Sequence, residues 1–137
     1  MYAACVSYLC AAIFIDAPED VPLALIRAER AKDAGANLIE WRADALAEAS
    51  DGAACIAVLL EKSPLPAIVT IRSEAEGGTW AGDEADRVAL LEAIGIGSAP
   101  PRYFDVELGS WQRSANLRQK VSLVINHAAQ QRDISAG

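Results

Sequence analysis

The chain has 137 residues, 53% of them apolar and 23% charged, enough for one domain around one core and too hydrophobic for a disordered segment. Its net charge of −7, with no Lys/Arg cluster, excludes a nucleic-acid footprint, although a few convergent arginines can still hold a small anion. Cys5, Cys10 and Cys55 lack C-x-x-C spacing and read as reduced, buried thiols of a cytoplasmic protein, not as a disulfide frame or a zinc site.

The uncharged start, residues 1–15, has no basic n-region and is too short to span a bilayer. It reads as an extension leading into a buried strand, with no membrane partner. Residues 11–15 (AAIFI) form a continuous apolar run, the pattern of a strand covered on both faces. Pro22 sits where a helix start needs no N–H, Val21, Leu25, Ala28 and Ala31 recur at helical spacing, and Gly35 closes the helix. A second strand is predicted over residues 37–42 (NLIEWR), then a helix over Gly52–Lys62 that Ser63-Pro64-Leu65-Pro66 breaks. Residues 67–72 (AIVTIR) are a third strand, and Asp83 caps a helix carrying Val88, Leu91 and Ile94 and closed by Gly95. Residues 103–108 (YFDVEL) give a fourth strand, a short helix surrounds 111–118, and residues 121–127 (VSLVINH) give a fifth. This alternation predicts one α/β domain over 1–137 with a parallel sheet and right-handed crossovers.

Strand alternation puts Glu40 and Arg42 on one face, Thr70 with Arg72, Asp105 with Glu107, and His127 in phase with Leu123 and Ile125. The second to fifth strands thus each place a charged or titratable side chain at the C-terminal end, with apolar residues on the other face. Taken singly, Glu40 with Arg42 reads as a surface ion pair, Asp105 with Glu107 as solvated acids, and His127 as a rim histidine. Their coincidence at corresponding positions favours one interior mouth at the C-terminal edge, where α/β folds build active sites. Gly95-x-Gly97 follows a helix and is no dinucleotide fingerprint, and no nucleophile elbow, P-loop or His-x-x-x-His pair occurs.

Four segments resemble type I 3-dehydroquinate dehydratases. Residues 34–46 (AGANLIEWRADAL) resemble that family's Glu-x-Arg-x-Asp strand, through Glu40, Arg42 and Asp44. Residues 70–78 (TIRSEAEGG) are similar to its Thr-x-Arg-x-x-x-Glu-Gly-Gly motif, through Arg72, Glu76, Gly77 and Gly78. YFDVEL resembles its Asp-x-Glu-Leu strand, and Ile125-Asn126-His127 stands where the family carries its catalytic histidine. The likeness runs from about residue 11 to residue 127. The flavodoxin-like type II dehydratases are set aside, because their Gly/Asn-rich first loop and paired histidines are not here.

The resemblance implies the first five strands of a (β/α)₈ TIM barrel and a lyase of the shikimate pathway, in aromatic amino acid biosynthesis, that dehydrates 3-dehydroquinate through a Schiff base. It implies His127 as general base and Glu76 as the acid beside it, both catalytic. Glu40, Arg42, Asp44, Arg72, Asp105 and Glu107 are implied around the substrate, with no cofactor and no metal. The family's imine lysine lies one strand further on. Lys32 reads as mid-helix, Lys62 as a helix end and Lys120 as a strand start, and none matches it. After His127 come Ala128 and Ala129 where the family has Asp-Phe. The chain is therefore expected to be inactive alone and to pair as a homo-oligomeric dimer or with a missing C-terminal half. The alternative is a non-enzymatic half-barrel remnant that binds a ligand or a partner subunit.

Overall fold

A computed structural model describes residues 6–113, 115–116, 118–119 and 122. Four strands alternate with helices: β1 (Cys10–Phe14), α1 (Val21–Asp33), β2 (Leu38–Arg42), α2 (Gly52–Lys62), β3 (Ala67–Thr70), α3 (Glu84–Gly95), β4 (Tyr103–Phe104) and α4 (Leu108–Arg113). The strands form one parallel sheet in the order β1-β2-β3-β4, so every neighbour in space is the neighbour in sequence. That is the order of a partial (β/α)₈ barrel, not of a doubly wound sheet whose order reverses. Of the expected fifth strand, residues 121–127, only Ser122 is described and it is helical, its hydroxyl bonding the Arg118 carbonyl at 2.8 Å; the rest, His127 included, lies outside the described residues.

α1, α2 and α3 start and stop where the sequence signals say, although Asp83, the residue before α3, makes no side-chain cap bond. Pro22 sits in the first turn of α1. At its end Ala36 N–H bonds the Ala31 carbonyl at 2.9 Å and Gly35 N–H bonds the Lys32 carbonyl at 3.0 Å. This double closure is a Schellman turn, which needs the left-handed φ of +102° that Gly35 adopts. Lys32 is thus in the last turn of α1, not mid-helix, as Lys62 is in that of α2.

The core lies between the sheet and the helices. Ile13, Ile15, Ile39, Trp41, Val69 and Ile71 meet Ala24 and Ala28 of α1, Ile56 and Leu59 of α2, and Leu91 and Ile94 of α3. Burying such side chains stabilises a fold by roughly 1.5–3 kcal/mol each. The strand pairing places Ala12, Glu40 and Ile68 side by side, then Phe14, Arg42 and Thr70, all on the face away from the core.

Three expectations need correction. The AAIFI strand is covered on one face only, and Phe14 is 57% exposed, because the helices pack on the Ile13 and Ile15 side and β1 is an edge strand. Cys10 is exposed for the same reason, while Cys55 is half-buried; Cys5 lies outside the described residues. The fourth strand stops at Phe104, and Leu108 opens α4, 69% exposed. Among the described residues no helix is long and apolar enough to cross a membrane.

Candidate active site

At the C-terminal end of β2, Glu40 and Arg42 stand on the face away from the core, and each finds a partner on the same edge. Glu40 Oε2 accepts from Thr70 Oγ1 at 3.0 Å. Arg42 Nη2 donates to Asp44 Oδ2 at 2.9 Å, and its guanidinium lies 4.6 Å over the Phe14 ring. The bond to Asp44 raises the Arg42 pKa further above its ordinary value, against the opposing effect of burial. Arg42 Nε is buried without a partner among the described residues.

Asp44 also reaches across to the next strand. Its Oδ1 accepts the backbone N–H of Arg72 at 2.9 Å. The following N–H, that of Ser73, goes to Glu107 Oε1 at 2.8 Å, and the Ser73 hydroxyl goes to Glu107 Oε2 at 2.9 Å. Two carboxylates from different strand ends therefore grip consecutive amides where β3 runs into its loop. The Arg72 side chain is left to pair with Asp105 beyond β4.

That loop folds back tightly. Ser73 bridges to Trp80, and Trp80 N–H bonds the Arg72 carbonyl at 3.1 Å. A single 3₁₀ turn, Glu74–Glu76, closes on Gly77 in the left-handed region at φ +85°. Gly78 donates its N–H to the Ser73 carbonyl at 2.8 Å. A Cβ on Gly78 would fall 2.1 Å from the Arg72 carbonyl oxygen, so no other residue fits. Phe14, Arg42, Asp44, Gly77 and Gly78 line a pocket of about 70 Å³ here.

Glu107 is 6% exposed, and Arg87 of α3, 3% exposed, donates to it at 2.8 Å. Burial alone would raise the Glu107 pKa. The N–H and hydroxyl of Ser73 and the charge of Arg87 outweigh it and hold the carboxyl below its usual value.

Glu40, Arg42, Asp44, Arg72 and Asp105 are thus brought together on one edge. Glu107 belongs to the same network but turns toward Arg87 and away from Asp105, because the chain leaves the strand after Phe104 and strand alternation no longer applies. Glu76 is exposed on the loop and its side chain has no partner among the described residues. His127, expected beside it, lies outside the described residues. Sequence reasoning missed Phe14, Ser73 and Arg87. Arg87 had a signal: with Leu91 and Ile94 it shares the buried stripe of α3, an odd place for a charge.

The profile of the type I 3-dehydroquinase family matches residues 11–136. The chain belongs to this family. The 3-dehydroquinate dehydratase of Methanosarcina acetivorans is 37% identical over 84 residues, which are 60% of this chain and 35% of that protein. The enzyme of the same name from Methanothermobacter thermautotrophicus is 40% identical over 83 residues, 61% of this chain and 35% of that one. The bifunctional 3-dehydroquinate dehydratase/shikimate dehydrogenase of Arabidopsis thaliana chloroplasts is 34% identical over 103 residues, 74% of this chain and 16% of its own length. The chain thus spans about a third of the two archaeal 3-dehydroquinate dehydratases. The family's barrel accounts for the order β1-β2-β3-β4 with α1, α2 and α3 packed on one face.

Proposed function

We propose that this type I 3-dehydroquinase chain supplies one side of a site that dehydrates 3-dehydroquinate to 3-dehydroshikimate in the shikimate pathway. The observation that carries the reading is the Asp44 carboxylate, which holds the Arg42 side chain and the Arg72 backbone together at the strands' C-terminal edge. The substrate is a carboxylated, polyhydroxylated ring. Donors from Arg42 and Arg72 beside acceptors from Glu40 and Asp105 complement such a ring, which needs both kinds of partner fixed in place.

In this reading His127 removes the proton next to the ketone and later helps the hydroxyl leave as water, with Glu76 setting its orientation and protonation. Glu107 acts from beneath, holding Ser73 rather than touching substrate. A lysine imine is the electron sink for the carbanion in this family's chemistry. Lys32 and Lys62 close α1 and α2, and a crossover helix ends near the N-terminal side of the next strand, opposite the site. Lys32 and Lys62 therefore do not supply that amine, and in this reading further polypeptide that carries the lysine completes the site in the cytoplasm.

An NMR titration of the chain with 3-dehydroquinate tests this. Shifts should gather at Arg42, Arg72, Gly77 and Gly78, Arg72→Ala should remove them, and Lys62→Ala should leave them. No binding by the parent chain, or equal loss in both variants, leaves the half-barrel remnant as the better reading.

A further inference from the structure

Arg87 lies outside the motifs that carry the family likeness, yet its guanidinium joins three segments around the site. Nη1 donates to the Ile71 carbonyl at 2.9 Å, at the end of β3, and to Glu107 Oε1 at 2.8 Å, beyond β4. Nη2 donates to Ser110 Oγ of α4 at 3.1 Å, and Nε and Nη2 share the Glu84 carboxylate within 3.0 Å. A network this buried is a poor device for stability alone, because apolar replacements of similar volume are often as stable. What it does secure is a position.

We propose that Arg87 is a positioning residue that acts through Glu107 and Ser73 on the loop bearing Glu76, Gly77 and Gly78. The inference rests on reading that edge as the dehydratase site. Each link is a hydrogen bond. Arg87 holds Glu107, Glu107 takes both the N–H and the hydroxyl of Ser73, and the Ser73 carbonyl receives Gly78 N–H at 2.8 Å and Glu76 N–H at 3.1 Å. Without Arg87, Glu107 is a buried carboxylate with no countercharge, which takes up a proton or swings toward water. Either change frees Ser73, and with it the backbone that sets Glu76 beside the substrate. The Arg72 amide shares its peptide group with the Ile71 carbonyl that Arg87 holds, so the internal references are the Ala43 and Ile15 amides, which bond the Thr70 and Arg42 carbonyls.

The test is amide hydrogen exchange on the full chain, parent against Arg87→Met, together with 3-dehydroquinate titration. Ser73, Glu76 and Gly78 should exchange roughly tenfold faster, the scale of one lost hydrogen bond, while Ala43 and Ile15 keep their rates. The dissociation constant should rise by a similar factor. Faster exchange at Ala43 and Ile15 as well, or local loosening with unchanged affinity, overturns the positioning role. Should Arg87→Met not fold, Arg87→Lys retains the charge but lacks the fork, and the same order of effects is expected at smaller size. A parent chain that does not bind 3-dehydroquinate overturns the functional reading instead, since the exchange pattern needs no ligand.

Discussion

Asp44 accepts the backbone N–H of Arg72 across the β2–β3 boundary while its other oxygen holds Arg42, both at 2.9 Å. Its side chain is only 5% exposed, so removal strands a buried amide and a guanidinium together. Asp44→Ala should cost about 2–4 kcal/mol in urea denaturation, the sum of an unmet amide and a weakened charged bond. Asp44→Asn keeps an acceptor for the amide and should cost less than half as much. Equal losses in the two variants would mean that the charge toward Arg42, not the backbone bond, does the holding.

The depressed pKa of Glu107 sets an acid limit. A carboxyl whose folded value lies below its unfolded value binds fewer protons when folded, so it stabilises above the unfolded value. That contribution is complete above the ordinary glutamate value of 4.5 and is lost as pH falls below it through the folded value. Glu107→Gln should therefore lower stability at pH 7 and flatten the fall in stability on acidification. A Gln variant with the parent's acid slope would place the titrating group elsewhere.

Gly77 and Gly78 adjoin but should respond differently. Gly77 is held at φ +85° with nothing near a would-be Cβ, so Gly77→Ala meets only the left-handed backbone cost of roughly 1–2 kcal/mol. Gly78→Ala places a methyl 2.1 Å from the Arg72 carbonyl oxygen and must displace backbone. It should cost more, and it should abolish the 3-dehydroquinate shifts at Arg72 while Gly77→Ala weakens them. Thermal unfolding with NMR titration ranks the two, and the reverse order would refute the loop geometry.

Imine chemistry gives the sharpest check on the isolated polypeptide. Lys32 and Lys62 are exposed in the last turns of α1 and α2, on the side opposite Arg42 and Arg72. Borohydride treatment with 3-dehydroquinate should leave the mass of the 137-residue chain unchanged. General-base assistance alone is worth only about 10²–10⁴-fold, so no turnover should be measurable. A substrate-sized adduct on Lys32, Lys62 or Lys120 would relocate the site.

Alternation carried most of the strand reading. Glu40 and Arg42 had to oppose Ile39 and Trp41 whatever covered them, because a strand's side chains alternate by backbone geometry alone. The same argument failed at β1 and β4. AAIFI reads as doubly buried because nothing local tells Phe14 that it belongs to an edge strand, where its ring instead meets the Arg42 guanidinium. Asp105 and Glu107 read as one face because nothing local marks the end of β4 at Phe104.

The sequence by itself determined the family, the element order from β1 to β4 and which residue types stand at those strand ends, since short-range periodicity and motif spacing are properties of neighbouring residues. Only the tertiary structure decided the pairings. Asp44 meets the Arg72 amide 28 residues away and Arg87 meets Glu107 20 residues away. A hydrogen bond forms within a few tenths of an ångström or not at all. Those distances depend on strand register, loop path and the packing of α3 on the sheet, which exist only once the core has closed.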